Sequence, residues 1–127
     1  MDNANLNEKK LVIGSTIKNV EKDIPKFFKL ITKISSMYSD YSIILVESDS
    51  TDNTFFVAKK FLERKKGKII KVNTNICNHR TERIALCRNE IILSIKKDNK
   101  LRDFDHLILL DADNINNEGN IDISQIN

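Results

Sequence analysis

The chain has 127 residues, of which 40% are hydrophobic and 31% are charged, so it has the length of one domain and enough apolar residues for a core. Its net charge of +3 argues against a strongly nucleic-acid-binding protein, and its aliphatic runs are too short for a transmembrane segment. Two cysteines cannot form the disulfide framework of a small secreted protein. We therefore expect a cytoplasmic protein without a transmembrane segment or a nucleic-acid partner.

The first half of the chain predicts a strand, a helix and a second strand. The aliphatic run 11–16 is typical of a strand. Apolar residues at helical spacing follow it and predict a helix with Asp23 as its N-cap and Pro25 in its first turn. The run 42–46 is apolar on both faces, which is typical of a buried strand in a parallel sheet.

The second half continues the alternation of helices and strands. A helix is predicted over 52–66, where Gly67 marks its end, and a short strand over 68–72. A third helix is predicted over 80–97 and a fourth strand over 106–110. The remaining residues, from Asn114 onward, have weak periodicity and are expected to form a loop or a frayed strand.

This order of elements predicts an α/β fold with an open, mostly parallel sheet and helices on both faces, like the nucleotide-binding half of a Rossmann-like domain. We expect one domain over residues 1–127, with a core at about 10–115 and flexible flanks at 1–9 and 116–127. In sheets of this kind, ligands bind at the carboxyl ends of the strands. The polar residues that follow the predicted strands are therefore the candidates for a site.

The acidic pair after the fourth predicted strand is the sharpest local feature. Asp111 and Asp113 stand one residue apart on a chain that leaves an apolar run. Two carboxylates at this spacing can both bind one hard cation, Mg²⁺ or Mn²⁺, through oxygen, and such a cation leaves positions open for phosphates. The alternative is that the two acids cap a helix or a turn.

Two further groups offer ligand-binding side chains. The turn 47–54 is rich in acids and hydroxyls, which can accept hydrogen bonds from a base or a ribose, although part of it must cap the next helix. The third helix carries Arg80, Arg83 and Arg88, of which the first two stand near its start, where a diphosphate is favoured. The alternative for these arginines is a solvated, salt-bridged helix face.

Taken together, three blocks of sequence resemble the nucleotide-sugar-binding half of family 2 glycosyltransferases, which have the GT-A fold. Residues 12–19 (VIGSTIKN) look like the family's opening strand, and residues 43–54 (IILVESDSTDNT) look like its acidic "DDGSTDGT" turn. Residues 85–89 (ALCRN) and 109–113 (LLDAD) look like its "ARN" and "LDAD" blocks, and the latter holds a DXD motif. The form of the second block is also similar to that of mannosyltransferase-like relatives.

The resemblance implies a metal-dependent glycosyltransferase that binds a UDP- or GDP-sugar and transfers the sugar to a glycan, lipid or protein acceptor. It implies that Asp113 is the catalytic, metal-binding acid and that Asp111 lies near the ribose and the metal, which is Mn²⁺ or Mg²⁺. Arg83 would contact the diphosphate or the edge of the base, and Arg88 and Asn89 would brace the helix. The nucleotide sugar would be held by a further set of polar residues, namely Thr16, Asn19, Glu47 and Asp49.

The sequence departs from the family in two respects. Glu47 and Ser48 replace the paired acids of the family's turn, and only 14 residues follow Asp113, where the family continues into an acceptor-binding half. We therefore expect a truncated domain with an exposed sheet edge, which would favour a partner chain or self-association. The alternative function is a non-catalytic interaction module, in which the acids serve only as caps and turns.

Overall fold

A computed structural model describes residues 7–73 and 79–112 as an α/β fold and confirms the predicted class. These residues form four strands: β1 (Lys10–Ile17), β2 (Asp40–Ser48), β3 (Gly67–Val72) and β4 (His106–Asp111). They alternate with three helices: α1 (Ile24–Ser35), α2 (Thr54–Leu62) and α3 (Arg80–Lys97). The tail predicted to be a loop from Asn114 lies outside the described residues. No helix in the described part of the chain is both long and apolar enough to cross a membrane.

The four strands form one parallel sheet in the order β3-β2-β1-β4. The chain adds β2 and β3 on one side of β1 and then crosses to the other side to add β4. The strand order therefore reverses between β1 and β4, and this reversal is where open α/β sheets form a ligand crevice. The two strands pair along their length, and their carboxyl ends lie side by side, with Thr16 in register with Asp111.

Helices cover both faces of the sheet, as predicted, because alternate strand residues point to opposite sides. One face presents Leu11 and Ile43 to a core shared with α1 and α2, where Phe27 is fully buried. The other face presents Val12 and Ile44 to α3, and the alternation continues along both strands. The sheet is thus buried on both sides, which explains why β2 reads as a continuous apolar run.

The start of α1 differs from the expectation in one detail. Asp23 occupies the N-cap position but makes no capping hydrogen bond with its side chain, because its backbone is already helical. The carbonyl of Val20 instead accepts hydrogen bonds from the N–H groups of Asp23 and Ile24, at 2.9 and 3.0 Å. Pro25 lies in the first turn, as expected.

Helix α2 is shorter than the predicted 52–66 because the chain must return to the sheet. It ends at Leu62, and the carbonyl of Lys66 then accepts a hydrogen bond from the N–H of Ile43 at 2.8 Å. Gly67 opens β3 in register with Ile43. The basic run 64–66 has good helix formers, but the pairing of β3 with β2 overrides their propensity.

Candidate functional site at the carboxyl ends of the strands

A narrow cleft lies where β1, β2 and β4 end and α3 begins, at the reversal of the strand order. Its cavity volume is about 30 Å³. A single water needs about 10–15 Å³, so the space between the described residues admits a few atoms of a ligand. Its walls come from the strand ends and from the first half of α3, and they are Thr16, Ile17, Lys18, Ser48, Arg80, Arg83, Ile84, Cys87, Arg88 and Leu110.

The charged side chains of the described residues that line this cleft are all positive. Its lining includes one lysine and three arginines, whereas no acidic residue of the described chain belongs to it. The arginines converge because positions 80, 83/84 and 87/88 recur on one side of a helix. The cleft can therefore bind an anion, and the positive end of the α3 dipole adds to the attraction.

The structure brings together some of the predicted site residues in this cleft. Thr16 and Arg83 both line it, and both are partly exposed. Asp111 is the last residue of β4, and its backbone lies beside Thr16. Asp113 lies outside the described residues. Within the described part of the chain, no group of three or more His, Cys, Asp and Glu residues could hold a metal ion.

Glu47 does not line the cleft. It follows Leu45 on the face of β2 that packs against α1 and α2, whereas Ser48 belongs to the face that α3 covers. Glu47 is 1% exposed, and its Oε2 accepts a hydrogen bond from the N–H of Ser50 at 2.6 Å. Its Oε1 is buried without a hydrogen-bond partner in the described structure. One oxygen thus holds the turn, and the other could accept a bond from a ligand.

Asn19 has a structural use in joining two turns at this end of the sheet. Its Oδ1 accepts a hydrogen bond from the N–H of Thr51 at 2.7 Å, and its own N–H donates to the Ser50 Oγ at 3.0 Å. Asn19 and Asp49 both have φ of 50°, a left-handed backbone that Asn and Asp tolerate better than most residues. The two residues thus shape the turns that follow β1 and β2.

Asp52 fastens the same two turns and holds the first residue of α2, whose N-cap position belongs to Asn53. Its Oδ1 accepts hydrogen bonds from the Thr54 N–H at 3.0 Å and from the Thr54 hydroxyl at 2.6 Å. Its Oδ2 accepts one from the N–H of Glu21 at 3.2 Å. Burial raises the pKa of this carboxyl, but the hydrogen bonds from Thr54 and Glu21 outweigh it, so the pKa is lowered overall.

The Asp52→Ala variant is expected to lower the free energy of unfolding by about 1–2 kcal/mol at pH 7, because it loses the hydrogen bonds from Thr54 and from the Glu21 N–H. A lowered pKa means that the carboxylate stabilises the fold above its ordinary value of 3.8 and loses this effect as the pH falls through the lower, folded value. Urea unfolding of both proteins should therefore show a smaller difference at pH 3 than at pH 7. Exposed Asp103, whose carboxyl makes no hydrogen bond to a described residue, provides the control Asp103→Ala, with little expected change. A difference that grows on acidification would contradict this role.

Lys18, Ser48 and Arg88 line the cleft, although none of them was among the residues predicted to bind the nucleotide sugar or the metal. Arg88 was expected to brace the helix, but it is exposed and lines the cleft. Arg88 could have been identified from its spacing. It stands eight residues after Arg80, slightly more than two helical turns, and therefore lies on nearly the same side of the helix. Ser48 could have been identified from the alternation along β2, because Ile44 and Val46 share its face.

Comparisons with protein-family models, with curated proteins and with solved structures found no significant match to this chain.

Proposed function

We propose that this chain is the nucleotide-sugar-binding part of a metal-dependent glycosyltransferase. The observation that carries the proposal is the cationic cleft at the reversal of the strand order. Three of the elements around it, β1, β2 and β4, end in the blocks that resemble the glycosyltransferase family. A nucleoside diphosphate needs cations and hydrogen-bond donors for its phosphates, and the cleft offers both.

The residues of the cleft would bind the diphosphate and stabilise it as it leaves. In sugar transfer, the oxygen of an acceptor hydroxyl bonds to the anomeric carbon and gives up its proton to a base. The bond from that carbon to the phosphate oxygen breaks, and its electron pair stays on the nucleoside diphosphate. Arg83 and Lys18 would balance this growing negative charge, since fixed cations in a cleft favour such a state. The hydroxyls of Thr16 and Ser48 would orient the phosphate oxygens.

The metal, Mn²⁺ or Mg²⁺, would be held by Asp111 and Asp113. Carboxylate oxygens are suitable ligands for both ions. When bound, the ion supplies Lewis-acid stabilisation of the leaving diphosphate. Because Asp111 ends β4 beside Thr16, an ion held there would lie at the same end of the sheet as the cationic cleft.

The nucleoside would extend from the cleft across the end of β2. Glu47 offers its buried Oε1 as a hydrogen-bond acceptor there, but it lies beneath the turn that Ser50 and Asn19 hold. A contact between Glu47 and a UDP- or GDP-sugar would require this turn to move. Asn19 and Asp49 support the site chiefly by shaping the turns, and the acceptor remains a glycan, a lipid or a protein.

Thermal unfolding with UDP, GDP and their sugars, each with Mn²⁺ and with EDTA, tests this proposal. We expect one of the two nucleotides to raise the melting temperature in Mn²⁺ and to have a much smaller effect in EDTA, because a ligand that binds only the folded state stabilises it. ADP with Mn²⁺ provides the matched control for non-specific binding of a diphosphate. An equal shift with all three nucleotides, or no shift with any of them, would contradict the proposal.

The second candidate function is a non-catalytic interaction module. The acidic turn supports this candidate, because its carboxylates already have a structural role. Glu47 and Asp52 both accept hydrogen bonds from backbone N–H groups. In a module of this kind the acids would hold the two turns and nothing else. This candidate predicts a folded protein that no nucleotide stabilises.

A further inference from the structure

The positive charge of the chain is concentrated in the unit formed by α2, β3 and the turn between them. Residues 54–72 contain seven lysines and arginines but a single acid, Glu63, which gives this segment a net charge of +6. In the rest of the chain, 14 basic residues stand against 17 acidic ones, for a net charge of −3. The charge of the protein is therefore polarised, with α2 and β3 at its positive end.

An exposed phenylalanine lies among these cations on the outer face of α2. The buried residues of this helix lie on one side of it, and they are Thr54, Ala58 and Leu62. Phe56 lies on the opposite side, with Lys59 and Lys60 three and four residues further along, so the two lysines flank it on the next turn. Its ring is 67% exposed, more than any other large apolar side chain of the described residues. The helix thus presents an apolar ring to solvent beside two ammonium groups.

Further cations extend this surface along the edge of the sheet. β3 is the outermost strand on this side, and its Lys71 reaches α2, where the Nζ lies 4.8 Å from the centre of the Phe55 ring. The turn after α2 adds two more cations, whereas Lys66 is engaged in an ion pair with Asp40 at 2.7 Å. We call Phe56 and the cations along this surface the basic face, and these cations are Lys59, Lys60, Arg64, Lys65 and Lys71.

The aromatic rings of this region favour a lipid surface over a nucleic acid. Proteins that bind single-stranded nucleic acids stack successive bases on open ring faces. Here the Phe61 ring is stacked on Phe28 with the ring centres 3.7 Å apart, and Lys71 lies over Phe55. Phe56 contacts the Phe55 ring edge to face and is largely exposed. A single exposed ring among lysines suits the boundary between lipid headgroups and acyl chains.

We propose that the basic face binds the surface of a membrane that contains anionic lipids. Its lysines and arginine attract the anionic headgroups, and the Phe56 ring inserts between them, so that α2 lies along the membrane surface. The same surface repels the acidic remainder of the chain, which orients the domain. The proposal does not rest on the proposed function, because no residue of the basic face lines the cleft.

Sedimentation with lipid vesicles tests the role of the cations. The chain should bind vesicles of phosphatidylcholine and phosphatidylserine, bind vesicles of phosphatidylcholine alone much more weakly, and dissociate as the salt concentration rises. The double variant Lys59→Gln/Lys60→Gln should lose about 10- to 30-fold in affinity, since each lysine near an anionic surface is worth about fivefold.

The matched control is the double variant Lys96→Gln/Lys97→Gln. Both pairs are adjacent lysines in the last turn of a helix, but the second pair belongs to α3, which covers the other face of the sheet. The control should bind the vesicles nearly as well as the unmodified chain does. Circular dichroism checks that each variant is folded.

A tryptophan in place of Phe56 tests the insertion of the ring. The chain contains no tryptophan, so Phe56→Trp supplies a single indole. Its emission should move to shorter wavelength with the phosphatidylserine vesicles, because the indole leaves water for the headgroup and acyl boundary. Leu93→Trp, at an exposed position of α3, is the control, and its emission should not change.

Several results would overturn this proposal. They are equal binding to vesicles with and without phosphatidylserine, an equal loss of affinity in the two double-lysine variants, and binding that leaves the emission of Phe56→Trp unchanged. If the chain binds a single-stranded oligonucleotide but no vesicles, the basic face is a nucleic-acid surface and the proposal is wrong. None of these results bears on nucleotide binding in the cleft, which is measured separately.

Discussion

The Asp113→Ala variant is expected to lose about 100-fold or more of the affinity for the preferred nucleotide in Mn²⁺. The reason is that Asp113 would supply a carboxylate to the metal ion, and such an ion would be worth several kcal/mol to a bound or leaving diphosphate. In EDTA, the variant and the unmodified chain should bind the nucleotide equally weakly. Isothermal titration calorimetry under both conditions measures the difference.

Asp103→Ala is the matched control for this change. Asp103 is an exposed aspartate that precedes β4, whereas Asp113 follows this strand in the sequence. The control should keep the full gain in affinity that Mn²⁺ gives to the unmodified chain. If Asp113→Ala keeps this gain as well, Asp113 is not a metal ligand and the DXD interpretation fails.

The Gly67→Ala variant is expected to lower the free energy of unfolding by about 3 kcal/mol, the upper part of the range for overpacking. A Cβ at this position would collide with the carbonyl oxygen of Ile43 and would lie 2.8 Å from the Ile43 Cβ. These atoms belong to β2, or are fixed to its backbone, so no side-chain rotation relieves the overlap. The pairing of β3 with β2 would have to shift, and urea unfolding measures the cost.

Gly14→Ala is the matched comparison within the same sheet. A Cβ there would lie 2.8 Å from the Ile91 Cγ2 and 3.1 Å from the Leu109 Cδ2, which are both side-chain atoms. The two side chains can move by a few tenths of an ångström, so the expected loss is about 1–2 kcal/mol. If Gly14→Ala lowers the free energy of unfolding more than Gly67→Ala does, this expectation is wrong. The packing of α3 on β1 would then be less able to adjust than the pairing of β2 with β3.

Much of the fold could be predicted from the sequence because its elements have clear periodicity. The strands β1, β2 and β4 lie within two residues of their predicted bounds, and α3 occupies its predicted range. The end of α2 could not be predicted, because the register of Gly67 with Ile43 is a property of the sheet and not of the local sequence. The same holds for the strand order, which depends on contacts between distant segments.

The candidate site could be predicted only in part. The motif placed Thr16 at the end of β1 and Arg83 on the helix that faces it, and both line the cleft. Glu47 was grouped with them because it follows the same sheet edge, but the alternation of side chains places it on the opposite face from Ser48. Hydrogen bonds between the two turns, as at Asn19, depend on a backbone conformation that residue types alone do not determine.

Binding of nucleotide phosphates in the cationic cleft is the step on which the rest of the proposed function depends. The most direct measurement is a titration of the ¹⁵N-labelled chain with UDP and with GDP in Mg²⁺, followed by backbone amide NMR shifts. For the preferred nucleotide, we expect saturable shifts around Thr16, Ser48 and Arg83, with little change at the amino ends of the strands. Saturable shifts confined to another surface, such as the basic turn around Arg64, or none with either nucleotide, would contradict it.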